Sequence, residues 1–397
     1  MSVSRSLHSS LIFLAAIVLA TTLFYVHHQA DSLPSRRIVP AAYLTSESYP
    51  LNNTYLEPDS CHCYSYHANT SSSSVVAKPI PLAEPQSHAE ESPLLVQETL
   101  IDPPEDMLDK INANLYGEGP TLIATAATYS MRAYVYNWIE SLKRTGEPKF
   151  LIFCLDDKLC AHLMHAGYES KAVSIPHHWF DRSVEIDEDG EENNSEVDNR
   201  HAIAQAKSMV IQRLLYRGIT VLFADADVVW LRSRTREFLR TYLNIRHETH
   251  AIFQQDILGK PTASVGFFII RPTEVTKRLM ADLLHIQHQH RDRTQQAALN
   301  EALDHMNMDM RTTNVMLLDM LHFPVGSTFF DKRLPEARGV RSYVVHANHQ
   351  NGDEKKAVLK ERGYWYIHDE WVGFVDSQVE QTWKLRLDAA ATDDVQL

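Results

Sequence analysis

Glycine is missing from the first 116 residues of this 397-residue chain; its 13 glycines begin at Gly117. No residue before that point supplies the left-handed backbone that tight turns between packed elements favour. Ten of the 17 prolines instead fall between Pro34 and Pro104, and the run NTSSSS fills 69–74. Few apolar clusters interrupt this stretch, so it buries too little surface to offset chain entropy. Residues 31–117 therefore read as an extended, disordered stalk.

Cysteine is scarce too, with four in all. Cys61 and Cys63 have no second ligand pair at zinc-site spacing, which argues against a structural zinc site. Cys154 and Cys160 flank an acidic turn and suit pairing only in an oxidising compartment. Basic charge is in deficit: 38 Lys and Arg face 51 Asp and Glu, a net charge of −13. Nucleic acid needs a basic face, so no nucleic-acid partner is expected. Much of the excess lies in Glu185–Asp198, eight acids and no base, which reads as a solvated loop.

The one long apolar run is LIFLAAIVLATTLFYV, residues 11–26, which Ser9 and Ser10 extend to 18 residues. That is near the lower limit of about 17 for a spanning helix. Arg5 precedes it and no acid occurs before Asp31. A cleaved signal peptide is the alternative, but its apolar core is usually shorter, and Ala30, the small residue near a plausible cut, has His28 at −3. The expectation is a cytoplasmic tail at 1–10, a signal-anchor transmembrane helix at 11–28 and a lumenal remainder: a single-pass type II membrane protein of the Golgi or endoplasmic reticulum. Sequons at Asn52, Asn69 and Asn193 agree with a lumenal, glycosylated protein.

From 119 to 388 the pattern changes, leaving 389–397 as a tail. Thr121–Thr125 reads as a strand, Tyr134–Leu142 as a helix, and Phe150–Leu155 as a second, buried strand. Ile203, Ala206, Val210 and Leu214 recur at helical spacing within His201–Arg217, which Gly218 ends. ITVLFA, 219–224, is a fully buried strand. Strands are expected again at Ala251–Gln254, Val265–Ile270 and Ser342–Val345. Helices carry Val275, Leu279, Leu283 and Ile286, and then Gln295–Leu303. Alternation of this kind predicts an α/β domain with a mostly parallel, Rossmann-like sheet between helices.

The chemistry is concentrated in FADADVVWL, 223–231. A buried strand runs into two carboxylates at i and i+2, a spacing that places both on one face of a strand. Ligands of open α/β sheets bind at the carboxyl ends of strands. Two oxygen donors there suit Mn2+ or Mg2+, and an ion so held bridges the phosphates of a nucleoside-diphosphate sugar. A solvated strand end is the bland alternative. A phosphatase of the haloacid dehalogenase type also uses Asp-x-Asp after an apolar strand, but on its first strand and with a later lysine and acidic pair. Here Asp225 follows two earlier strands, and the other acidic pair, Asp156 and Asp157, lies upstream.

Taken together, several blocks resemble the nucleotide-diphospho-sugar transferases of glycosyltransferase family 77. They are TAAT at 125–128 with Asn137 and Trp138; Lys207; LLYRG at 214–218 with the Asp-x-Asp block; GFFIIRPT at 266–273; QAALN at 296–300; and HANHQNGDEKK at 346–356. The resemblance covers about Thr121 to Trp371. It implies a GT-A fold, a UDP-sugar donor, a glycan or glycoprotein acceptor, manganese and retention of anomeric configuration. It also implies that Asp225, Asp227 and His346 hold the metal, and that Thr125, Thr128, Lys207, Asp225, Gly266, Gly352, Lys355 and Lys356 meet the donor. Asp256 and Gln296 are the residues placed near the anomeric carbon. Two departures stand out: the family often has Asn where this chain has Ser264, and Asp where it has Gln295. They leave open a second reading, a catalytically silent sugar-nucleotide or glycan-binding protein on the same fold.

Overall fold

The computed structural model describes residues 100, 102–117, 119–175, 196–308, 314–349 and 352–393. The anchor segment, the stalk through residue 99, Cys61 and Cys63, all three sequons and the acidic loop through residue 195 lie outside them. Among the described residues no helix is long and apolar enough to cross a membrane.

The chain runs through α1 (Glu105–Ala113), β1 (Thr121–Ala127), α2 (Arg132–Thr145), β2 (Leu151–Cys154), α3 (Asp157–His165), β3 (Ala172–Ser174) and α4 (Glu196–Tyr216). It continues with β4 (Thr220–Ala224), β5 (Val228–Trp230), α5 (Thr235–Ile245), β6 (Ala251–Gln255), β7 (Ala263–Ile270), α6 (Glu274–Gln289) and α7 (Gln295–His305). β8 (Val315–Leu318), β9 (Val344–His346), α8 (Gly352–Glu361) and α9 (Asp369–Asp393) complete it. Seven strands form one sheet in the order β3-β2-β1-β4-β7-β6-β8. Only β7 runs antiparallel to its neighbours, so the expectation of a mostly parallel α/β sheet holds.

Alternation along the strands explains the two-sided core. Val221 and Phe223 of β4 enter one apolar cluster with Val210 and Leu214 of α4 and Leu279 and Leu283 of α6. Leu222 and Ala224 enter the other, with Trp138 and Leu142 of α2 and Leu239 of α5. Period two in the strands meets period 3.6 in the helices on both faces. The order also explains where the site forms. β1 pairs with β2 on one side and β4 on the other, the switch point at which a crevice opens beyond the strand ends.

Composition placed the stalk's end at 117, but α1 lies within that span. Met107 and Ile111 are 2% and 1% exposed. Lys110 donates to the Ala172 carbonyl at 3.1 Å, and Asn114 to that of Ser170 at 3.0 Å. One short helix with two core residues is too weak a periodic signal to stand out in a proline-rich stretch. β3, β5 and β8 were not foreseen either; each is three or four residues long.

Candidate active site

Asp225 and Asp227 do not share a strand face. Both lie just after β4, in the turn to β5, where the Val228 amide donates back to the Asp225 carbonyl at 3.0 Å. The turn, not strand alternation, aims both carboxylates the same way. β5 then pairs antiparallel with β9, and Val228 stands opposite His346. The Ala347 amide donates to the Asp227 carbonyl at 3.0 Å. This two-stranded ribbon brings the histidine to the acids.

Asp225, Asp227 and His346 offer ligand atoms that all lie within 4.8 Å of one another. The His346 Nε2 is 3.3 Å from Asp227 Oδ1 and 4.0 Å from Asp225 Oδ2. The other carboxylate oxygens are taken by lysines: Lys355 Nζ donates to Asp227 Oδ2 at 2.6 Å, and Lys207 Nζ to Asp225 Oδ1. Each acid thus keeps one oxygen for a shared ion. Burial by itself would raise the Asp227 carboxyl, but His346 and then Lys355 hold it well below the usual carboxylate range. Asp227 is therefore an anion, as a ligand must be. Two carboxylate oxygens and an imidazole nitrogen fit a divalent transition metal such as manganese.

Gly266 of β7 forms the floor. A Cβ there would come within 2.1 Å of His346 Cε1 and 2.9 Å of Asp225 Oδ2, so no other residue fits beneath the cluster. Gly326 has a similar role: a Cβ would meet the Asn348 carbonyl oxygen at 2.1 Å, and its amide donates to Asn348 Oδ1 at 2.9 Å.

A second polar cluster gathers on Asp256, just past β6 and 6% exposed. Gln296 Nε2 donates to its Oδ2 at 2.7 Å and Asn348 Nδ2 to its Oδ1 at 3.1 Å; His349 Nε2 lies 3.3 Å from Oδ1. Asp256 and Gln296, named together from sequence, do meet. Gln295 turns the other way and donates to Ser208 Oγ of α4 at 2.9 Å. Ser264 is buried and accepts from the Gly266 amide at 3.2 Å. Both departures thus take structural partners. Between α4 and α7 a cavity of 540 Å3 opens, lined by Lys207, Val265, Gln295 and Gln296. A separate cavity of 430 Å3, lined by Met107, Lys110, Cys160 and Met164, includes none of these acids.

The remaining candidates divide. Lys355 joins the cluster, whereas the neighbouring Lys356 pairs with Asp369 at 2.9 Å. Gly352 opens α8 with φ +45° and accepts from the Tyr134 hydroxyl at 3.1 Å. Thr125 is buried on the same side of β1 as Ile123 and Ala127, which pack toward α2. Thr128 follows the carboxyl end of β1 and its hydroxyl pairs with Ser130 at 2.8 Å. Among the described residues neither threonine bonds to the acids. Cys154 and Cys160 are free thiols. Asp156 caps α3 through the Leu159 amide at 2.7 Å. Sequence reading missed Gln254, whose only local signal is an amide within a buried strand.

The profile of the nucleotide-diphospho-sugar transferases matches residues 146–359. A UDP-galactose:fucoside alpha-3-galactosyltransferase of Dictyostelium discoideum is 22% identical over 62% of this chain and 43% of its own. Arabinosyltransferase RRA2 of Arabidopsis thaliana is 23% identical over 65% of this chain and 62% of its own. The chain therefore spans less than two thirds of the length of either relative. A UDP-D-xylose:L-fucose alpha-1,3-D-xylosyltransferase, MGP4, of Arabidopsis thaliana is 22% identical over 63% and 71%. The family match spans the turn that carries Asp225 and Asp227, the Gly266 floor, His346 and Lys355, and on it the chain belongs to the nucleotide-diphospho-sugar transferase family.

Proposed function

We propose that this chain transfers a sugar from a UDP-sugar to a glycan or glycoprotein acceptor, in a metal-dependent reaction that retains anomeric configuration on a GT-A fold. The observation that carries the reading is the division of labour at the two acids: one oxygen of each faces His346 Nε2 and the other faces a lysine. That arrangement holds the acids ionised and aimed at one point. When bound there, a divalent ion supplies positive charge to the leaving diphosphate. Lys207 and Lys355 already balance the two carboxylates, so the ion's charge is left for the phosphates. Relatives named for UDP-galactose and UDP-xylose support UDP as the nucleotide. Two of them are named for fucose-containing acceptors, which makes fucosylated glycans the first acceptors to test.

Asp256 accepts from Gln296 and Asn348 and lies close to His349. Occupied lone pairs make it a poorer nucleophile toward the anomeric carbon. Its geometry suits orienting Gln296 and Asn348, and this favours attack by the acceptor on the face that the diphosphate leaves. As sequence reading expects, the enzyme works in the Golgi or endoplasmic reticulum lumen, held by its N-terminal segment.

The test is UDP release by the purified protein across a panel of UDP-sugars, with Mn2+ and with chelator. Turnover with at least one donor that chelator abolishes is the expected result. Mn2+-dependent UDP binding without turnover of any donor or acceptor would instead establish the silent binding protein.

A further inference from the structure

Gln254 lies in β6, is fully buried, and stands between His346 and the segment Phe323–Pro324. Its Nε2 donates to the Phe323 carbonyl at 3.1 Å and to the Pro324 carbonyl at 3.0 Å. Both partners are pure acceptors, so the orientation of the amide is settled: nitrogen to the carbonyls, oxygen to the histidine. Gln254 Oε1 lies 3.0 Å from His346 Nδ1. An amide oxygen only accepts, so Nδ1 carries the proton. That leaves Nε2, which faces Asp225 and Asp227, as the nitrogen whose lone pair a cation would take on binding. The same segment holds the histidine's backbone, because the His346 amide donates to the Pro324 carbonyl at 3.1 Å.

We propose that Gln254 is a positioning residue of the donor site: by accepting the Nδ1 proton of His346 it fixes the tautomer and ring plane that present Nε2 to a divalent cation. The inference rests on the metal reading above. Partners that accept the far N–H of a ligating histidine are worth about 10–100-fold in metal affinity. Without Gln254 the imidazole is free to take its proton on Nε2, where Asp227 Oδ1 at 3.3 Å would accept it. The ligand nitrogen would then be lost and the ring locked against the acid.

The experiment measures Mn2+ affinity by paramagnetic titration of the full chain, without donor, and melting of the metal-free protein. Wild type and Asp227→Asn come first; an absence of Mn2+ binding by wild type overturns the metal reading and this inference with it. Given binding, Gln254→Met, which keeps length but has no acceptor, is expected to lose at least tenfold in affinity. Gln254→Glu keeps an acceptor for Nδ1 and is expected to bind within a few-fold of wild type, although it too loses the bonds to the two carbonyls. The decisive arm adds His346→Ala. In that background Gln254→Met should cost nothing further, because its effect passes through the ring. An equal loss with and without His346, or equal losses in the Met and Glu variants, would show a merely structural role and overturn the proposal. Wild-type affinity in Gln254→Met would do the same. If Gln254→Met does not fold, Gln254→Asn, whose amide is one methylene shorter, takes its place in the cycle.

Discussion

Asp227 is where charge, burial and geometry meet, and it is the side chain to change first. Asp227→Asn keeps size and polarity but removes a charged ligand oxygen and leaves Lys355 facing an amide. Turnover is expected to fall by orders of magnitude, because charge stabilisation at a leaving group is worth several kcal/mol. Saturating Mn2+ and UDP should stabilise wild type by about 2.7 kcal/mol at a hundredfold excess over Kd, and this gain should vanish in the variant. Full activity with unaltered Mn2+ dependence in Asp227→Asn would remove the acids from the mechanism. Gly266→Ala tests the floor. Its methyl would overlap the His346 ring, so a loss of about 1–3 kcal/mol from overpacking is expected, together with loss of Mn2+ binding. Of these residues the acids were legible from sequence, since a buried strand ending in two carboxylates is a local pattern. The need for glycine at 266 was not, because it depends on what lies above it.

Two helices at the ends of the domain carry predictions of their own. α1 buries Met107 and Ile111, and burial of each is worth about 1.5–3 kcal/mol. A chain starting at Asp102 is expected to melt cooperatively. One starting at Asn112 should melt lower by roughly 5–10 °C. Equal melting of the two would return α1 to the stalk. At the other end, Asp376 of α9 accepts from Arg132 Nε at 2.6 Å, the Tyr129 hydroxyl at 2.9 Å and His162 Nε2 at 2.9 Å. His162 is fully buried, and the Tyr136 hydroxyl lies 2.6 Å from its Nδ1. Burial lowers the His162 pKa below its usual value. Burial would raise Asp376, but Arg132, Tyr129 and His162 hold it below the usual range. Both shifts have the same sign for stability. The unfolded chain binds more protons than the folded one as pH falls through the ordinary histidine value of about 6.5 and then the ordinary aspartate value of about 3.9. Stability should be complete near pH 8 and fall below about 6.5. In His162→Gln the first part of that fall should shrink, leaving the share of His250, whose pKa burial also lowers, and a melting profile unchanged from wild type would break the link. No local pattern announces this latch, since its members come from three helices and a turn.

For the whole molecule, orientation across a membrane is the largest expectation carried by sequence alone. The apolar run at 11–26 and the sequons at Asn52, Asn69 and Asn193 motivate it. Protein made in secretory cells should shift in mobility on glycosidase treatment and stay with the membrane fraction. A cytosolic protein without a shift would defeat the anchor. The architecture of the domain was readable from β1, β4, β6 and β7 and from α2, α4, α6 and α7, which are long enough to show their periods. Ile219–Ala224 is apolar but for the half-buried Thr220, as suits a strand covered on both faces.

By itself the sequence determined the class of fold, the strand that leads into Asp225, and the types of residue available for chemistry. Each follows from spacing within one element, where covalent geometry sets which side chains share a face. The tertiary structure decided which distant groups converge. The β5–β9 register sets His346 against Asp227, α4 and α8 deliver Lys207 and Lys355 to opposite acids, and Lys356, one residue on, turns to Asp369 instead. Adjacent helical positions point about 100° apart, so which of the two lysines reaches the cluster depends on how α8 docks, and no spacing along the chain records that.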